Sequence, residues 1–193
     1  MIQKISCFLT DILSNHITIN EKERDIYEYC IRIVLKRSLF LVILMLFGII
    51  TGQIGITLLY IVSFMPLRSY CGGAHAPTPA LCYLLSYGIS IAVLSLIPLF
   101  TSTCPPPLIL ILFLFFCIPI IILSPVDTEN KRISPQNKRV LKTKSILLIV
   151  CDAILFIVFS FLRIKIYCMT LSICVMICSI NVLIGFFQNR RIS

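Results

Sequence analysis

Four stretches of this chain, residues 80–101, 107–124, 146–162 and 166–187, stay predominantly apolar over about the length that crosses a bilayer. A fifth, 34–66, is longer still. Their apolar residues come in runs rather than in the one-sided stripe of a helix lying on a water-facing core. Only 13% of the 193 residues are charged, against about a quarter in a soluble domain, and 59% are hydrophobic. Lipid is therefore the natural solvent, and there the backbone must satisfy its own hydrogen bonds within helices or closed barrels. These lengths imply helices, so the expected fold is all-α and polytopic, a single integral membrane domain over residues 1–193.

The number of spans follows from charge. Residues 34–66 are long for one span and short for two, but Gly48, Gly52 and Gly55 cluster around Thr51 and Gln53, as a tight turn would require. With two crossings there, six spans put both termini on one side together with 15 of the 17 Lys and Arg, leaving Arg163 and Lys165 on the other. With one crossing the split becomes 8 against 9. The positive-inside bias selects six spans within 34–187, with the termini, including the tail 188–193, in the cytoplasm. Residues 1–33 are expected to form an amphipathic helical region at the membrane surface. Ile5, Phe8, Leu9, Ile12 and Leu13 recur there at helical spacing, and Asn20 is a candidate N-cap for the charged start Glu21–Asp25.

A net charge of +9 needs no nucleic-acid partner in such a chain. It reflects topology and attraction to anionic lipid. The basic segment Lys131 to Lys144 is expected to be a cytoplasmic loop, serving orientation or the docking of an acidic peptide. Of ten cysteines, Cys117, Cys151, Cys168, Cys174 and Cys178 sit inside apolar runs, where the thiol packs as a small hydrophobe. No disulfide framework is expected, and no cleavable signal peptide is expected at the start of the chain.

Chemistry concentrates in one segment, Met65-Pro-Leu-Arg-Ser-Tyr-Cys-Gly-Gly-Ala-His-Ala-Pro-Thr-Pro-Ala-Leu-Cys. It lies at the cytoplasmic boundary and runs into the third span. A thiol peptidase needs a cysteine held as thiolate and a histidine that takes a proton and later returns one to the leaving amine. Pro79 suits the first position of the third-span helix, which puts Cys82 in its first turn, where the helix dipole favours thiolate. His75 is seven residues earlier. On a continuous helix that is about 10 Å of rise, too far for a hydrogen bond. Pro77 and Pro79 break the helix and allow the chain to fold back. Gly72 and Gly73 give the loop freedom and could let backbone N–H groups approach a substrate carbonyl as an oxyanion hole.

Other readings of the same residues stay open. Cys71, His75 and Cys82 could ligate zinc, although no fourth ligand is near and the spacing fits no common structural site. Arg68 could anchor lipid headgroups or bind a substrate carboxylate. Asp152 lies inside the fifth span, where a carboxylate is costly, and could orient His75 or pair with a base. Gln53, Ser86 and Asp152 are candidates for a third catalytic residue. A small transporter or channel would be expected to carry more paired intramembrane charge than this chain has.

At Arg68, Gly72, Gly73, His75 and Cys82 the sequence resembles the accessory gene regulator B (AgrB) family of membrane endopeptidases in quorum sensing. That family has an arginine, then Gly-Gly-x-His, then a cysteine seven residues after the histidine. The resemblance extends to chain length, the amphipathic N-terminal region, the several spans and the basic loop. It implies a cysteine peptidase with Cys82 as nucleophile and His75 as general base and acid, with no cofactor and no metal. The implied substrate is a short amphipathic precursor peptide with a cysteine-containing core and an acidic tail. Removal of the tail leaves the core as a thioester on Cys82, and a thiol or hydroxyl of the core closes a thiolactone or lactone ring. Lys131, Arg132, Lys138 and Arg139 could dock the acidic tail. The resemblance also suggests a homodimer.

Overall fold

The computed structural model describes residues 2–16, 20–74, 78–126 and 134–190. They form seven helices: α1 (Ile2–His16), α2 (Glu21–Ile50), α3 (Ile54–Cys71), α4 (Pro79–Thr103), α5 (Pro106–Leu123), α6 (Pro135–Phe161) and α7 (Lys165–Arg190). Six of them, α2 to α7, are long and apolar enough to cross a bilayer. The chain is thus an all-α, multi-pass membrane protein with six candidate spans, as the charge parity of the sequence implies. By contact it divides into two compact units, Met1–Phe47 and Gly48–Ser193.

In the first unit α1 presents its apolar stripe outward. Ile5, Phe8, Leu9 and Ile12 are exposed, while Ser6 and Thr10 are buried. Both hydroxyls are satisfied locally: Ser6 donates to Gln3 O at 2.9 Å and Thr10 to Ser6 O at 2.7 Å. An exposed apolar stripe with polar residues behind it is what a helix in the lipid interface requires. Asn20 opens α2, and Glu23 reaches back to the Asn20 N–H at 3.2 Å, one half of a capping box. Arg24 pairs with Asp11, and Arg32 with Glu28 one turn earlier. Helix α2 continues without a break from its charged start into its apolar part. Residues 33 and 34 therefore lie within one helix, which the good helix formers Glu21–Arg24 help to open.

The second unit begins at the α2–α3 turn, where the Gln53 N–H donates to Gly48 O at 2.8 Å and Gly52 has φ +68°. From there the helices alternate in direction. The turns at 51–53, 104–105 and 162–164 fall at one end of the unit; the ends of α3, α5 and α7 and the starts of α4 and α6 fall at the other. Helix α7 is the hub, packing on α3, α4, α5 and α6. Its span is 56% buried, and the other spans no more than 33%. Residues 168–175 of α7 are buried without interruption, so over these two turns the helix is enclosed on all faces. Small residues permit that. Cys168, Thr170, Ser172, Cys174, Cys178 and Ser179 let neighbouring helices approach closely, the packing that lipid-embedded helices depend on.

Polar side chains tie the helices where hydrophobic burial gives no driving force. Tyr60 Oη lies 3.0 Å from Ser90 Oγ, Ser172 donates to Ile109 O at 3.2 Å, and Ser124 donates to Ser145 at 3.1 Å. Asp152 is buried, and Ser63 of α3 donates to its Oδ2 at 2.9 Å. The intramembrane carboxyl therefore has a hydroxyl partner on α3, and no basic partner among the described residues. Ser63→Ala is expected to destabilise the bundle by about 1–3 kcal/mol by leaving a buried carboxyl one donor short. Adding Asp152→Leu is expected to recover most of the loss, because both polar groups are then gone. Unfolding of the detergent-solubilised protein in SDS measures both; equal losses in the single and double variants would show that the pair is not coupled.

Candidate active site

Helix α3 ends at Cys71, and the chain leaves it through two glycines in conformations that side chains rarely adopt: Gly72 at φ +70° and Gly73 at φ +113°. Arg68, in the last turn of α3, bends back over this exit. One guanidinium nitrogen donates to Gly72 O and the other to Ala74 O, the latter at 2.8 Å. The planar fork of arginine suits such a pair of acceptors, which a lysine would meet only as a point charge. Sequence alone offered Arg68 to a lipid headgroup or a substrate carboxylate. In the structure its two terminal nitrogens bind the loop's own backbone, because the exit from α3 leaves carbonyls there without helical partners.

Two further elements hold the same loop. The Ala74 N–H donates to Asn181 O of α7 at 3.2 Å, so that donor is already engaged and does not face an oxyanion. On the other side Val126 N–H donates to Cys71 O at 3.1 Å, and Gly72 and Val126 form an isolated bridge. The fit is close enough to dictate glycine. A Cβ on Gly73 would lie 2.4 Å from Asn181 Oδ1, and one on Gly185 would lie 2.7 Å from the backbone of Gly73 and Ala74. Asn181 Oδ1 is itself buried with no hydrogen-bond partner among the described residues. Sequence reasoning missed Asn181 and Gly185. Their signal was an asparagine and a glycine one turn apart in an apolar span, the pattern of a close backbone approach.

His75 lies outside the described residues, as do Ala76 and Pro77. The chain is described again from Thr78, the N-cap of α4, whose Oγ1 accepts from Leu81 N–H at 3.3 Å, with Pro79 at the first helical position. Cys82 N–H makes the first intrahelical bond, to Thr78 O at 3.1 Å. Cys82 therefore stands in the first turn of α4, as the proline and threonine imply. The two cysteines of the segment differ in access: Cys71 is buried, at 1% exposure, and Cys82 is partly exposed. A reactive thiol has to be reached, which favours Cys82 over Cys71.

The candidates for a third residue separate by position. Gln53 is at the start of α3, about 27 Å of helix rise from Cys71, at the opposite end of the bundle. Asp152 is bonded to Ser63, about 12 Å of rise from Cys71. Ser86 donates to Cys82 O at 2.8 Å, satisfying its helix rather than a side chain. Among the described residues no three His, Cys, Asp or Glu are grouped as metal ligands; the set Cys71, His75 and Cys82 includes a residue outside that description.

The basic segment is not wholly the loop that its charge suggested. Ser134 caps α6, accepting from Asn137 N–H at 3.4 Å, and Pro135 opens the helix. Lys138, Arg139, Lys142 and Lys144 consequently stand on the first turns of α6. A Ser-Pro start is a strong helix signal that charge counting overlooks. Lys138 and Arg139 are exposed. Lys144 Nζ lies 5.3 Å from the centre of the Tyr70 ring, which brings this basic end of α6 beside the end of α3. Lys131 and Arg132 lie outside the described residues.

Comparison with known proteins finds one family along nearly the whole chain. The family model for Accessory gene regulator B matches residues 6–184. AgrB-like protein 2 of Clostridium perfringens strain 13 is 25% identical over 144 residues, covering 72% of this chain and 67% of the relative. An AgrB-like protein of Lactiplantibacillus plantarum is 28% identical over 164 residues, covering 84% of this chain and 78% of the relative. No solved structure matches. Membership supports involvement in the agr quorum-sensing system, and with residues 6–184 matched, this chain belongs to the Accessory gene regulator B family.

Proposed function

We propose that the protein is a membrane cysteine endopeptidase that removes the C-terminal tail of a short precursor peptide and cyclises the remaining core. The observation that carries this reading is the braced loop. Arg68, Asn181 and Val126 fix the backbone from Cys71 to Ala74, immediately before His75, while Pro79 starts the helix that presents Cys82. Two reactive groups on either side of a proline-interrupted segment thus depart from defined anchors, as a nucleophile and its base require.

In this mechanism His75 takes the proton of Cys82, and the thiolate attacks the carbonyl preceding the tail. His75 then returns the proton to the departing amine, leaving the core as a thioester on Cys82. A thiol or hydroxyl of the core, deprotonated by His75, attacks that thioester; the ring closes and Cys82 leaves as thiolate. Exchange of one thioester for another is nearly balanced in energy, so water must be kept from the site, and a position at the membrane boundary serves that end. Arg68 is a positioning residue, and Gly72 and Gly73 allow the approach. Asn181, whose buried oxygen faces Gly73, is a candidate to orient the imidazole. Lys131, Arg132, Lys138 and Arg139 attract the acidic tail. The charge asymmetry of the sequence supports cytoplasmic termini and a cytoplasmic site, and the family suggests a homodimer.

Cleavage of a cognate precursor peptide by the protein in proteoliposomes tests the reading. Cys82→Ala is expected to abolish cleavage, and Cys71→Ala to retain it; the reverse pattern would move the nucleophile to Cys71 and sink the assignment. Gly185→Ala, which drives a methyl into the loop backbone, is expected to lower kcat by about a hundredfold with helicity intact. Unchanged turnover in that variant would show that the loop's position does not matter to the chemistry. Glutamine at all four docking bases is expected to raise KM about tenfold and leave kcat near wild type; unaltered kinetics would remove the docking role.

A further inference from the structure

At the end of the bundle away from the Gly72–Ala74 loop, α5 and α6 separate. They meet where Phe113 and Phe156 stack, with ring centres 4.7 Å apart. Beyond that contact, towards Pro106 on α5 and Phe161 on α6, they leave a cavity of about 820 Å³ floored by Cys168 of α7. Its walls are apolar, including Ile109, Leu110 and Ile157, and Phe161 stands 87% exposed at the rim. The volume is that of a ligand pocket rather than a packing defect. The cavity lies between membrane-spanning helices, so its apolar part opens onto lipid tails.

The polar residues at its mouth are distinctive. Arg163 and Lys165 both line it. Among the described residues of this unit they are the bases at this end, whereas Arg68, Lys138, Arg139, Lys142 and Lys144 stand at the other. Neither has an acidic partner among the described residues. Arg163 has φ +58°, a left-handed conformation that closes α6 and that glycine adopts at less cost. An arginine where glycine would fit better, at the mouth of an apolar cavity, points to use of its charge.

We propose that this groove is a binding site for an anionic phospholipid, with an acyl chain between α5 and α6 and the phosphate on Arg163 and Lys165. Arginine binds phosphate oxygens through its fork and lysine as a point charge. The first turn of α7 adds the positive end of its dipole at the same place.

The chain contains no tryptophan, so Leu110→Trp installs a reporter that senses this groove and not the basic surfaces at the other end. The protein is reconstituted in phosphatidylcholine vesicles containing tail-brominated phosphatidylglycerol or tail-brominated phosphatidylcholine. Half-maximal quenching is expected at a mole fraction about tenfold lower for the anionic lipid. Arg163→Lys in that background is expected to keep the preference. Arg163→Gly with Lys165→Gln is expected to bring the two lipids within about twofold, while thermal stability does not fall, since glycine relieves the left-handed residue. Equal quenching by both lipids in the parent, or a preference that survives the double substitution, would overturn the proposal.

Discussion

A half-buried guanidinium at the membrane boundary is costly unless its donors are used, and in this chain Arg68 uses them on the backbone beside it. The carbonyls of Gly72 and Ala74 belong to a chain segment leaving a helix, where acceptors have no intrahelical partner. Each side's unmet need is the other's partner. The clasp folds the loop tight against α3 and so lets it lie on α7, where the contact distances admit only hydrogen at Gly73 and Gly185. The central helix of the bundle and the Gly72–Ala74 loop are thus fitted to each other. A change in either would be felt by both.

This fit also bears on the chemistry proposed. A thioester intermediate that must cyclise rather than hydrolyse needs its reacting groups held before substrate arrives. Three independent anchors fix the approach to His75, and the proline start of α4 fixes Cys82 on the far side. The Ala74 N–H, already bonded to Asn181 O, is one donor fewer for any oxyanion hole, so in the proposed mechanism stabilisation of the tetrahedral oxygen would fall to other groups near Cys82. The basic start of α6 stands beside the end of α3, where an acidic tail leaving the site would meet it.

Much of this architecture was legible in the sequence because lipid imposes simple rules. Span length and the distribution of Lys and Arg gave six helices, including the double crossing of 34–66 that length alone left ambiguous. Thr78 and Pro79 announced the start of α4 and hence the place of Cys82. Other features depended on contacts that no local pattern encodes. Arg68 looked like a ligand-binding arginine because nothing in one dimension shows that its chain doubles back beneath it. In the sequence Asp152 could orient His75 or pair with a base, and nothing local points to Ser63, its partner 89 residues away. Asn181 and Gly185 are far from the motif in sequence, and only packing brings them to it. The charge of Lys138 and Arg139 suggests a loop, but the Ser134-Pro135 start places them on the first turns of α6.

The central claim is that Cys82 forms a covalent acyl-enzyme, and intact mass of the protein after brief incubation with its precursor peptide tests it most directly. An added mass equal to the tail-less core is expected, removed by hydroxylamine as a thioester is and absent from Cys82→Ala. A well-folded protein that cleaves the peptide with no such adduct at any time, or one whose adduct persists in Cys82→Ala, would contradict it.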